Sequence, residues 1–138
     1  IVVRLVGSEM CIRDRLEAGL GFAVQTNKDN FIGKEAVIRK NNRGLEKYLY
    51  QFQLEDPELL LFHNEPIYRD GELVSYLTSG NYGHFLGSAI GMGYIPLKEE
   101  TIKSVETSDF HIEIAGTMAK AKISSKPLYD PSSEKIRM

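Results

Sequence analysis

The stretch PIYRDGELVSYLTSG, residues 66–80, sets Asp70-Gly71 between two runs of strand type. Asp-Gly is among the strongest short hairpin signals, because a two-residue turn that matches strand twist needs positive φ at both central positions. Working outward, the same period of two recurs. In YLYQFQLE (48–55), Tyr48, Tyr50, Phe52 and Leu54 fall on one face and Leu49, Gln51, Gln53 and Glu55 on the other, until Pro57 ends the run. GSAIGMGYI (87–95) reads as a further strand, with glycines that mark close backbone approach or a bulge. DFHIEI (109–114) turns Phe110, Ile112 and Ile114 inward, and MAKAKI (118–123) does the same with Ala119, Ala121 and Ile123 across a short AGT loop. These runs predict a mainly β chain, a small antiparallel six-stranded β-barrel that leaves no exposed strand edge.

Ahead of the barrel the period changes. FIGKEAVIRKNNRG (31–44) predicts one short helix, with Ile32, Ala36 and Val37 sharing a face and Asn41, Asn42 and Gly44 as its stop. TNKDN (26–30) is a polar break, and LEAGLGFAVQ (16–25) fits either a strand or an extended connector. PLYDPSSEKIRM (127–138) is a tail.

With 138 residues, 42% of them hydrophobic and 26% charged, the chain has the material for one domain with a real core. A net charge of −2 carries no electrostatic footprint for nucleic acid or an anionic membrane, and neither is expected as a partner. No apolar run approaches the ~20 residues of a spanning helix. The single cysteine, Cys11, excludes an internal disulfide framework and a cysteine-based zinc site, and fits a reducing, cytoplasmic compartment.

That cysteine lies in LVGSEMCIRDR (5–15), which agrees residue by residue with one reading frame of a transposase-type sequencing adapter. Residues 1–15 are therefore expected to be translated adapter, and the fold is read from Leu16 onward.

Catalytic chemistry is sparse. The glycine-rich TSGNYGHFLGSAIGMGY (78–94) lacks the Gly-Lys-Ser/Thr ending of a phosphate loop, and its glycines do not lie between a strand and a helix. It fits a tight loop feeding a barrel strand, or a loop lining a ligand surface. His63, His84 and His111 do not share metal-ligand spacing; His84 is expected to make a structural hydrogen bond and His111 to face solvent. Glu55, Asp56 and Glu58, like Glu99 and Glu100, read as solvated turns. No Ser/His/Asp order or nucleophile elbow is present. Tyr50, Tyr76 and Tyr82 could stack on a planar ligand or fill the core. No catalytic or metal residue is assigned.

The order LEAGLGFAV, FIGKEAV, NEPIYRDGELVSYLTSGNYGHFLGSAIGMGYI, PLYDP resembles the C-terminal part of the aminomethyltransferase family, which includes the glycine cleavage T-protein. It is most similar to copies fused behind FAD-dependent dimethylglycine or sarcosine dehydrogenase domains. The resemblance implies that 16–30 ends a preceding folate-binding domain and that 31–138 is the last, barrel domain. It implies transfer of a one-carbon unit from a methylated amine or aminomethyl donor to tetrahydrofolate, with FAD held in an upstream domain and the catalytic aspartate also upstream. This part should not be active alone; its partners would be the upstream domains, folate and a small amine. Phe22 falls where the T-proteins carry an aromatic near the folate. Tyr129 lies near the position of their folate-touching C-terminal tyrosine, in a YDP pattern that differs from theirs. Phe22, Tyr82 and Tyr129 are thus the candidate cofactor-binding residues. A reading from a different class is a non-catalytic interaction barrel within a larger flavoprotein.

Overall fold

The computed structural model describes residues 15–135 and 137. In chain order they form α1 (Lys34–Arg43), β1 (Lys47–Leu54), β2 (Pro66–Arg69), β3 (Glu72–Gly83), β4 (Ser88–Pro96), the single-turn α2 (Ile102–Val105), β5 (Phe110–Ile114) and β6 (Thr117–Ser124). The strands close into a barrel in the order β1-β4-β3-β2-β5-β6. Every pairing is antiparallel, and the ring is shut where Gln51 of β1 meets Ser124 of β6. The adapter reading and Cys11 lie at 1–14, outside the described residues, apart from Arg15.

The alternation read from the sequence is the burial seen. Tyr50, Phe52 and Leu54 point inward from β1, Phe110 and Ile112 from β5, and Ala119 and Ala121 from β6. Phe52 and Phe110 meet edge to face, 5.6 Å between ring centres, across the middle of the barrel. Each such large side chain stabilises the fold by roughly 1.5–3 kcal/mol through the apolar area it withdraws from water. Asp70 and Gly71 take the positive φ their hairpin needs, 51° and 87°, and Ala115 with Gly116 repeats the pattern at the second hairpin. Gly93 marks a close approach: a Cβ there would stand 2.6 Å from Ile67 Cδ1. The glycine-rich stretch is therefore strand and turn. β3 runs on to Gly83, bends at a register shift between Leu77 and Ser79, and returns as β4.

Several expectations are corrected. Residues 16–25 are neither strand nor extended connector. They form successive turns with a 3-10 turn at Gly21–Ala23, and only the Glu17 carbonyl, accepting from Leu49 N–H at 2.8 Å, joins the sheet. A strand needs a continuous partner, and this segment has one such bond. The expected helix face also fails. Gly33 at φ 88° sits at the N-cap of α1 and breaks the phase between Ile32 and the helix, so Ile32 is 96% exposed and no residue of α1 is buried.

Glu100 does close the turn after β4, its N–H donating to the Leu97 carbonyl at 2.6 Å, but its partly exposed carboxylate is paired rather than simply solvated. Arg69 donates to both of its carboxylate oxygens, at 2.9 and 2.7 Å, and through Nε to Ser108 Oγ at 2.8 Å. The fork-to-fork pair ties the loop after β4 to the end of β2. Burial of Tyr50, with Glu106 nearby, pushes its phenol well above its ordinary range, and the protonated hydroxyl donates to the Ile102 carbonyl at 2.9 Å, pinning α2 over the barrel. Asp56, by contrast, does lie in an exposed turn, its Oδ1 accepting from Glu58 N–H at 2.9 Å.

Candidate functional site

Because side chains fill the barrel, a ligand has to meet its outside. The loop joining β3 to β4 is a tight tip in which Leu86 N–H and Gly87 N–H both donate to the Gly83 carbonyl, at 2.9 and 2.8 Å. This holds Phe85 out into solvent, 70% exposed. The tail after β6 folds back toward it. Leu128 N–H donates to Gln51 Oε1 at 3.0 Å, and Asp130 caps the next turn by accepting from Glu134 N–H at 2.9 Å and Lys135 N–H at 3.1 Å. Tyr129 thereby meets Phe85 edge to face with ring centres 4.4 Å apart. Lys135 Nζ lies over both rings, 4.2 Å from the Phe85 centre and 4.9 Å from that of Tyr129.

Tyr82 lies half-buried near the end of β3, its ring against His84 at 5.3 Å. His84 is thus engaged through its ring rather than by the hydrogen bond expected of it. Of the tyrosines read with Tyr82 as possible ring stackers, Tyr50 is core and Tyr76 stands exposed on β3. Phe22 sits in the 3-10 turn and is 85% exposed. Among the described residues, the ring partners of Tyr82 and Tyr129 are His84 and Phe85, on the one hairpin, and neither ring pairs with Phe22. Two of the three candidate residues therefore share a hairpin neighbourhood, and the third belongs to the segment ahead of α1.

Phe85 and Lys135 were missed from the sequence. The signal for Phe85 was an aromatic between Gly83 and Gly87, where a tight tip leaves a large ring no interior to enter. Nothing in the tail marked Lys135.

The arrangement can stack a planar ring and, through Lys135, attract negative charge. Among the described residues no cluster of three or more His, Cys, Asp or Glu could hold a metal. Among the described residues, the clearly perturbed groups sit in the core or in side-chain pairs that tie strands and loops together. Arg69 holds the Glu100 carboxyl below the usual carboxylate range, Glu100 in turn holds the Arg69 guanidinium protonated, and the hydrogen bond to Glu113 raises the Tyr68 phenol. His111 is half-buried on the outer face, 3.7 Å from Asp109 through Nδ1. An open cleft of about 570 Å³ between the linker and α1, bordered by Phe31, Lys34 and Ile38, contains none of the candidate residues. Among the described residues no helix is long and apolar enough to cross a membrane.

Residues 47–130 match the glycine cleavage T-protein C-terminal barrel domain. Over 127 residues the chain is 33% identical to the 4-methylaminobutanoate oxidase (formaldehyde-forming) of Paenarthrobacter nicotinovorans, covering 91% of this chain and 15% of that protein. Over 116 residues it is 35% identical to a probable aminomethyltransferase of Thermococcus kodakarensis, covering 84% of this chain and 28% of the relative. The chain thus spans well under a third of the length of these two relatives. The crystal structure of glycine cleavage system aminomethyltransferase T from Bartonella henselae superposes with a TM-score of 0.70 at 19% identity, over 85% of this chain and 32% of that one, which shows the shared fold. The chain belongs to the glycine cleavage T-protein C-terminal barrel family.

Proposed function

We propose that the chain is the C-terminal barrel of a folate-dependent aminomethyltransferase-like module, which passes a one-carbon unit from a methylated amine or aminomethyl donor to tetrahydrofolate. On this reading 16–30 closes a preceding folate-binding domain, 31–138 is the last domain, and the whole is a cytoplasmic dimethylglycine or sarcosine dehydrogenase-like protein with FAD upstream. The observation that carries the reading is a filled barrel with exposed aromatic rings on its outside, an arrangement suited to walling a pocket whose chemistry lies elsewhere. The match to an amine oxidase over nearly the whole chain supports the donor class. Phe22, Tyr82 and Tyr129 supply apolar ring faces to the pterin or its aromatic extension. The barrel's part is to exclude water and to orient; on this reading the transfer itself falls to the upstream domain.

Titration of the intact protein with tetrahydrofolate tests the reading. Phe22→Ala and Tyr129→Ala are expected each to weaken binding by about tenfold, the scale of one lost ring contact. Unchanged affinity in both removes them from the pocket and leaves the barrel a docking module. The isolated chain is expected to bind folate very weakly or not at all, and micromolar binding by it would overturn the division of labour.

A further inference from the structure

Glu17 is the charged residue that the described part of the fold withdraws most fully from water, at 2% exposure. Its Oε1 accepts from Lys40 Nζ on α1 at 2.8 Å, and its carbonyl accepts from Leu49 N–H on β1 at 2.8 Å. One residue therefore joins the segment carrying Phe22, the helix and the first strand. Among the described residues the helix has little else to hold it: none of its residues is buried, and its other side-chain tether is Lys34 Nζ, on the Lys28 carbonyl at 2.7 Å and the Asp29 carbonyl at 3.5 Å.

A buried ion pair is a poor source of stability, since desolvation offsets much of the attraction and apolar residues of similar volume do as well. What a charge pair adds is selectivity among geometries. A methyl group tolerates a slide of an ångström, whereas a buried carboxylate that loses its ammonium is left uncompensated. We infer that Glu17–Lys40 is an orientation lock. It fixes the Phe22 segment at one angle to the barrel, and Glu17 is a positioning residue for whatever packs on Phe22. The inference stands on the contacts of the segment and not on the identity of the ligand, so it survives or fails independently of the folate reading.

The test replaces the pair with apolar residues, Glu17→Leu with Lys40→Met, which leaves no charge stranded. Spin labels at Phe22→Cys and Met118→Cys, in a Cys11→Ser background, report the angle as a distance distribution. The parent is expected to give one narrow distribution. The apolar pair is expected to broaden it, with amides of 16–24 exchanging about tenfold faster, the scale of a local opening, while β1–β6 exchange as before. The swapped pair, Glu17→Lys with Lys40→Glu, is expected to narrow the distribution again. An apolar pair with a distribution as narrow as the parent's overturns the lock, because packing alone then sets the angle. Loss of the whole barrel in that variant overturns it too, because the pair would then be holding the fold rather than the angle.

Discussion

In the barrel, apolar side chains face one another: Tyr50, Phe52, Ile67, Phe110 and Ile112 are closed off from solvent by the ring of strands. In residues 15–44 the pattern is reversed. Leu20, Phe22 and Ile32 face water, while the polar groups do the holding, through Lys40 on Glu17 and Lys34 on the Lys28 carbonyl. The two regions differ in what a perturbation can reach. Inside a closed barrel a lost methylene leaves a void that rigid neighbours fill only partly. On the flank a lost methylene leaves more water.

The sharpest break of that contrast is Phe52→Ala. It is expected to lose about 3–5 kcal/mol in urea unfolding, because the cavity would open against the Phe110 ring. Gly93→Val comes next, at about 1–3 kcal/mol, since its Cβ would overlap Ile67 inside the barrel. Arg69→Met is expected to cost less than either, and its signature is pH. Glu100 titrates below the usual carboxylate range when folded. The stability it contributes is therefore full above the unfolded carboxylate pKa and is lost as pH falls through the folded one. The parent's melting temperature should drop across that acidic window, and the drop should flatten in Arg69→Met. The smallest effects belong to the flank: Phe22→Ala and Ile32→Ser are each expected within about 0.5 kcal/mol of the parent. An Ile32→Ser loss comparable to that of Phe52→Ala would erase the distinction between the two regions.

What was legible in the sequence follows the same division. Strand alternation and the Asp70-Gly71 turn are local signals, and both survive in the structure because each strand has one face in the core. Gly33 was visible as a residue, but its effect on Ile32 depended on a left-handed φ that shifts the helix phase. The Arg69–Glu100 pair joins residues far apart in the chain, and acidic residues after a proline look like any solvated turn. Glu17 was unreadable for a related reason: nothing near it in sequence says that a lysine of the next helix will reach it. Of the site, the tyrosines were legible as aromatics in strand and tail. Their grouping with Phe85 and Lys135 required the tail to fold back on the hairpin.

The order of the strands around the barrel also governs when the molecule can come into being. β1 is made first, yet its neighbours are β4 and β6, and it pairs with nothing between. As the chain leaves the ribosome, Tyr50, Phe52 and Leu54 must wait uncovered through β2 and β3, and the seam with β6 can form only after Ser124 has emerged. Non-local pairing of this kind is slow to nucleate, and at about 5–20 residues per second the delay is on the order of seconds. The early apolar strand is thus the segment most exposed to wrong partners during synthesis, and a newly made chain depends on its last strand arriving before they do.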